Sequence, residues 1–255
     1  MMVARDRIIK FCEDYLKAKK FTDAFHNGLQ VEGTESISKI VTGVSFSVAL
    51  IDEAIKRKAQ MIIVHHGLFA KNIPMPPVIN GHFKNRLKLL LSNDINLAGF
   101  HLPLDAHSAI GNNISLAKLF NLKNIKPINT ADYGEIGFIG DFARPKLFTD
   151  FVKEVNKKLN TKSYIIPAGL KHVKRLGIIS GGAAPDYIDA VKMGADIYLS
   201  GDIREDLVEA IKETKINFIN AGHYNTEKLG VQNLGKLIAK KFKIRVEFVD
   251  VPCEV

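Results

Sequence analysis

The chain has 255 residues, 46% of them hydrophobic and 25% charged, which is enough to bury one large core or two modest ones and excludes a disordered protein. Lys and Arg outnumber Asp and Glu by 36 to 27, a net charge of +9; many of the lysines fall on expected helices and read as solvated faces, with no nucleic-acid module beside them. Cys12 and Cys253 stand near opposite ends outside any Cys-x-x-Cys pattern, and no apolar run resembles a secretory leader or reaches membrane-spanning length, so a reduced, cytoplasmic protein without disulfides or a thiolate metal site is expected.

In chain order, residues 5–20 carry Ile8, Ile9, Phe11, Cys12, Tyr15 and Leu16 at helical spacing between charges, an amphipathic helix. Residues 26–33 read as a turn-rich loop bracketed by Gly28 and Gly33. From Lys39 the pattern is strand, loop, helix, strand: Ile40 to Val44, a polar break at Ser45 to Ser47, Ala49 to Ala59, then Met61 to Val64. That spacing predicts a βαβ unit with parallel strands. The second strand empties into His65-His66-Gly67. Ligands collect beyond the carboxyl ends of strands in open α/β sheets, so these imidazoles stand where a site is expected. Adjacent strand side chains point to opposite faces, so either the chain turns at Gly67 or the pair serves two metals. Alone, the pair fits one core and one surface histidine equally well.

The Asn72 to Pro77 run is a proline-rich loop suited to a rim. A helix at 82–92 and a strand from Ile95 to Phe100 follow, the strand running into His101-Leu-Pro-Leu-Asp105. A helix at 112–121 has Asn112 or Asn113 as its expected N-cap. Residues 121–134 are polar and turn-rich, and the boundary between two lobes, 1–127 and 128–255, is placed there. The second lobe should hold a strand Ile136 to Phe142, a helix at 147–159, and strands near Tyr164 to Ile166 and Arg175 to Ser180. Gly181-Gly182 then makes a tight turn or an anion-holding nest. A helix at 186–194, a strand Ile197 to Ser200, the loop Gly201 to Asp206 and a strand Ile216 to Asn220 come next. The chain closes with the stretch Gly222-His223 to Glu227, a long helix to about Lys241 and a strand from Arg245 to Val249.

The halves resemble each other. Gly43-Val44 and the run from Ala54 to His65-His66 parallel Gly177-Ile178 and the run from Ala190 to Gly201-Asp202. Ile95-Asn96, leading to His101 with Asp105 four residues on, parallels Ile216-Asn217, leading to His223 with Glu227 four residues on. The expected fold is therefore α/β: two similar lobes with mainly parallel sheets and a metal site in the cleft between them. Strand ends facing inward would gather His65, His66, His101, Asp105, His223 and Glu227. Imidazoles and carboxylates suit Zn, Mn, Fe, Co or Ni, and their number exceeds the need of one tetrahedral ion. His82, His107 and His172 have no counterpart and are left aside.

These motifs carry a resemblance. Asn-Gly-Leu-Gln-Val-Glu-Gly at 27–33, His-His-Gly-Leu-Phe at 65–69, His-x-Pro-x-Asp at 101–105 and Gly-His-x-x-x-Glu at 222–227 resemble the Nif-three-like dinuclear metal proteins, often labelled GTP cyclohydrolase type 2. The resemblance implies two divalent ions per chain held by His65, His66, Asp105, His223 and Glu227, with Glu227 bridging and His101 close by as proton carrier. It also implies a ring-shaped homohexamer. Ser45-Phe46-Ser47 stands where many relatives have an acidic residue. The expected function is a metal-dependent hydrolase acting on a nucleotide or phosphoester, its small anionic substrate drawn by Lys and Arg. The alternative is a metal-binding or DNA-binding ring without turnover.

Overall fold

The computed structural model describes residues 1–70 and 78–253, so the expected proline-rich rim at 72–77 lies outside the described residues. The chain does not divide at 127/128. One compact unit takes Met1–Leu104 together with Gly230–Pro252, and the other takes Asp105–Leu229 and Cys253. The cause is the closing strand, which forms a parallel ladder with the strand beginning at Lys39 and so belongs to the first unit.

The first unit runs through β1 (Val3–Ala4), α1 (Arg5–Leu16), β2 (Gly28–Val31), β3 (Ser36–Ile37), β4 (Lys39–Ser45), α2 (Val48–Lys56), β5 (Met61–His66), α3 (Gly81–Ser92) and β6 (Asn96–Gly99). A short helix α4 (Leu102–Ala106) carries the chain into the second unit. There follow α5 (Asn112–Leu119), β7 (Lys123–Thr130), β8 (Gly134–Leu147), α6 (Phe148–Leu159), β9 (Tyr164–Pro167), β10 (His172–Ile178), α7 (Tyr187–Lys192), β11 (Ile197–Ser200), α8 (Glu205–Glu213), β12 (Asn217–Asn220) and α9 (His223–Thr226). Helix α10 (Lys228–Phe242) and strand β13 (Arg245–Phe248) then return to the first. Among the described residues no helix is long and apolar enough to cross a membrane.

The first unit's main sheet has the order β13-β4-β5-β6-β2, parallel except for β2, which pairs antiparallel with β6. The second unit's sheet has the order β7-β8-β10-β11-β12-β9, in which β10, β11 and β12 are parallel and the flanking strands antiparallel. Each sheet packs its helices over its own apolar cluster. Val41, Leu50, Ile51, Ile62, Val64 and Leu90 are central in the first, and Phe120, Phe142, Phe151, Leu176 and Ile219 in the second. Every such side chain withdrawn from water contributes about 1.5–3 kcal/mol before entropy is counted.

Several expectations change in the tertiary setting. The loop expected at 26–33 contains β2, because its Leu29 and Val31 register against β6. The polar stretch 121–134 holds β7 and the turn into β8, a hairpin whose outer strand is largely exposed and therefore polar in sequence. Asn112 and Asn113 do not cap α5. Gly111 stands at the cap, and both asparagines are buried and bonded elsewhere. The stretch before the last helix forms the short helix α9, and the long helix expected to about Lys241 follows it as α10.

The internal repeat holds in the sheets and slips at their ends. Buried Asn96 accepts from Gly33 N at 2.8 Å and donates to Thr34 O and Gln60 O; buried Asn217 accepts from Gly169 N at 3.0 Å and donates to Leu170 O. Gln60 Oε1 takes the amides of Ser38 and Lys39, and Asp196 Oδ2 takes those of Lys174 and Arg175. By ladder register Met61 matches Ile197 and Asn96 matches Asn217. Gly43 lies opposite Val64 and Gly177 opposite Tyr198, so the two glycines are two places out of step. Phe100 N and Ala221 N make the corresponding bonds, to Val64 O and Ser200 O. His101 therefore matches Gly222, and His223 comes one place later. The His–carboxylate pairs do not occupy the same point of both repeats.

Candidate metal centre

Strand β5 extends through both histidines: His66 stays on the ladder opposite Ser45, and its carbonyl accepts from Phe46 N at 2.9 Å. Strand β6 ends its pairing at Gly99 opposite Val64, so His65 and His66 project beyond it. Adjacent strand side chains can then lean over the sheet's end rather than diverge. The rings of His65 and His66 have centroids 4.6 Å apart, and His101 lies 4.8 Å from the first and 5.5 Å from the second. One ligand nitrogen from each of the three falls within 4.8 Å of the other two. Two neighbouring strand residues thus bring ligand atoms within 4.8 Å of each other while the strand continues through His66.

Each ring has an orienting partner on Nδ1. His65, fully buried, has Nδ1 3.0 Å from Phe100 O, and a carbonyl only accepts, so Nδ1 carries the hydrogen and Nε2 the lone pair. His66 Nδ1 meets Ser45 Oγ at 3.0 Å. His101 Nδ1 lies 2.8 Å from Asp23 Oδ1. Asp23 is itself held by the amide of Phe25 at 3.0 Å, by Asn27 Nδ2 at 2.8 Å and by the amide of Leu102 at 3.0 Å. Burial pushes its carboxyl up, but the bonds from His101, Asn27 and Phe25 outweigh this and hold it well below the usual range. An ionised Asp23 fixes the tautomer of His101 and again leaves Nε2 as the basic nitrogen. Such outer carboxylate and carbonyl partners are the usual setting of metal-ligating histidines.

Asp23 escaped sequence reading. It lies in an unremarkable Thr-Asp-Ala stretch, and its distance of 78 residues from His101 leaves no local signal. Ser45, noted as a departure, proves to be the partner of His66. Ser47 caps α2 by accepting from Leu50 N at 3.2 Å.

The second unit assembles another group. Asp105 Oδ1 accepts from Asn112 Nδ2 at 2.8 Å and from Ser180 Oγ at 3.1 Å. Asn113 fixes the same turn, taking Ser180 N at 2.7 Å and donating to Ile136 O at 2.8 Å. His223 Nε2 lies 3.3 Å from Glu227 Oε2 and its Nδ1 3.6 Å from Asp202 Oδ2, so His223 at the start of α9 and Glu227 at its C-cap meet as an i, i+4 pair. Burial lowers the His223 pKa, but hydrogen bonds and charge from Asp202 and Glu227 overcome it and raise the value to about 10. Asp202 stands at the repeat position of His66, the signal by which it could have been found.

The Gly181-Gly182 turn works as a spacer. Gly181 has φ +66°, and a Cβ there would strike the Glu227 carboxylate. Its amide donates to Thr226 Oγ1 at 3.1 Å and its carbonyl accepts from Gly201 N at 2.9 Å, which ties the turn to the segment bearing Glu227. Of the histidines left aside, His107 Nδ1 accepts from the amides of Ala109 and Ile110, His172 is exposed on β10, and His82 lies near the start of α3.

The donors of each unit are of types that borderline divalent cations take: imidazoles with partnered Nδ1 atoms in the first, buried carboxylates and an imidazole in the second.

The chain matches known proteins over nearly its whole length. Residues 3–253 match the family model described as Duf34/NIF3 (NGG1p interacting factor 3). A Haemophilus influenzae protein named GTP cyclohydrolase 1 type 2 homolog is 41% identical over 238 residues, 92% of this chain and 93% of that protein. Among solved structures, protein ybgI, described as of unknown function, aligns with a TM-score of 0.94 at 34% identity over 99% of this chain and 100% of that one. A Thermus thermophilus protein aligns with a TM-score of 0.89 at 30% identity, again over 99% and 100%. With whole-chain coverage and one shared α/β architecture, the chain belongs to the DUF34/NIF3 family.

Proposed function

We propose that the chain is a metal-dependent hydrolase of a nucleotide or phosphoester, with two divalent ions held by His65, His66, Asp105, His223 and Glu227. The observation that carries this reading is the convergence of His65, His66 and His101 within 4.8 Å, with Nδ1 of His65 and His101 committed to acceptors. Support for the second half of the ligand set comes from the His223–Glu227 pair and from the donor types of Asp105 and Glu227. Divalent ions in such a set would supply Lewis acidity, polarising the bond under attack and making water acidic enough to ionise near neutral pH.

The chain's own residues do the rest. His101 Nε2 takes and returns a proton, and ionised Asp23 stabilises the imidazolium formed when it does. Asn112 and Ser180, both bonded to Oδ1, hold the Asp105 side chain in its aimed position. The name carried by the curated relatives supports a nucleotide as the substrate. A ring-shaped homohexamer in a reduced compartment completes the proposal, and a particle six times the 28.3 kDa chain mass in light scattering tests it.

Mass spectrometry of metal content tests the centre itself, on tag-free wild type, His66→Ala and Glu227→Ala, as purified and after reloading. About two equivalents in wild type, falling in both variants, is the expected result. Absence of bound metal after reloading sinks the proposal. His101→Gln should keep its metal and lose turnover of nucleoside triphosphates or phosphodiesters by about a hundredfold or more.

A further inference from the structure

A cavity of about 630 Å³ opens beside His66 within the first unit. Its size lies in the range of sites for small molecules, about 300–1,000 Å³. Phe25, Phe46 and Phe83 supply aromatic walls, while His66, His82 and Arg86 are among the polar ones. Phe25 connects the cavity to the imidazole cluster, its ring centroid 4.6 Å from that of His101 and 5.5 Å from that of His66.

Helix α3 explains the arrangement. His82 and Arg86 are four residues apart and Phe83 and Arg86 three apart, so one helical face presents all three. The Arg86 guanidinium carbon sits 5.8 Å from the centroid of the Phe46 ring, which fixes the charge at the wall. Among the described residues no Asp or Glu lines the cavity, and no carboxylate forms an ion pair with Arg86. A half-buried guanidinium set among aromatic rings, with two histidines and no acid, selects an anion joined to a planar apolar body. Guanidinium favours phosphate through paired N–H donors, and the ring faces favour a flat heteroaromatic group.

We infer that this cavity is the substrate subsite, in which Arg86 with His82 holds the phosphate of a nucleotide while Phe25, Phe46 and Phe83 hold its base. This rests on the metal-dependent reading only for the chemistry at His66; the binding needs Arg86 and the aromatic walls.

Isothermal titration with guanosine 5′-monophosphate and with guanosine tests it, on wild type, Arg86→Ala and Phe83→Ala, each in metal-loaded and chelator-treated form. The nucleotide should bind saturably to wild type and at least tenfold more weakly to Arg86→Ala, whose melting curve and metal content stay at the wild-type level. Guanosine should bind weakly and equally to both, and Phe83→Ala should weaken guanosine and nucleotide alike. Equal nucleotide affinity in wild type and Arg86→Ala overturns the inference, as does the absence of saturable binding to metal-loaded wild type. Nucleotide binding that depends on Arg86 in a protein that never takes up metal upholds the subsite while the metal proposal fails.

Discussion

The ends of β5 and β6 in the first unit and of β11 and β12 in the second are built on one scaffold and carry opposite chemistry. In the first, three imidazoles converge, and their partners are a carbonyl, a hydroxyl and one remote carboxylate. In the second, one imidazole stands between two carboxylates that raise its pKa to about 10. The scaffold beneath is repeated almost bond for bond, down to Asn96 and Asn217 tying the edge-strand loops. What differs is the residue at each strand end and a slip of one place that puts Gly222, at φ +88°, where the first unit has His101. Stability thus resides in the part that is repeated, and the donor set in the part that is not.

That contrast predicts its largest effects in the scaffold. Asn96→Ala removes bonds to Gly33, Thr34 and Gln60 at a buried position and should destabilise the protein by about 3 kcal/mol. Asn217→Ala, which removes two such bonds, should cost about 2 kcal/mol. Urea denaturation measures both, and an Asn217 effect near zero would break the equivalence of the two halves.

A smaller effect belongs to the first cluster. Asp23→Asn should cost about 1–2 kcal/mol by replacing a charge-assisted bond to His101 with a neutral one. Because Asp23 titrates below its ordinary 3.8 in the folded protein, the stability it contributes is present above that pH and is lost as the pH falls further. The gap between wild type and variant in acid denaturation should therefore narrow below pH 3.8, and a gap constant with pH would count against an ionised Asp23.

The second cluster should show the reverse slope. The His223 value is raised from 6.5 to about 10, so in chelator-treated protein its stabilising contribution is complete below pH 6.5 and is lost as the pH rises through 10. Melting temperatures from about pH 6 to 10 should fall for wild type and stay flatter for His223→Gln. Identical slopes would mean that Asp202 and Glu227 do not hold the proton there.

Much of this was legible from residue order. Short Val- and Ile-rich runs ending in His, as in Met61 to His66, announce a strand and its functional end together, and the parallel run of Ile197 to Ser200 appears with the same bounds in the structure. Edge elements were less legible. β2 and β7 bury only part of their surface, and the glycine that opens β2 and the lysines, asparagines and proline of β7 look like loop until a partner strand supplies the hydrogen bonds.

By itself the sequence determined the α/β class, the repeated βαβ core, the family and the imidazole and carboxylate donors, because hydrophobic period and residue chemistry are local properties. Tertiary structure decided the rest: the return of β13 to the first unit, the pairing of Asp23 with His101, the cavity beneath α3 and the one-place slip between His101 and His223. Each depends on a contact between residues distant in the chain, and a hydrogen bond or ladder register between such residues leaves no periodicity in the order of amino acids.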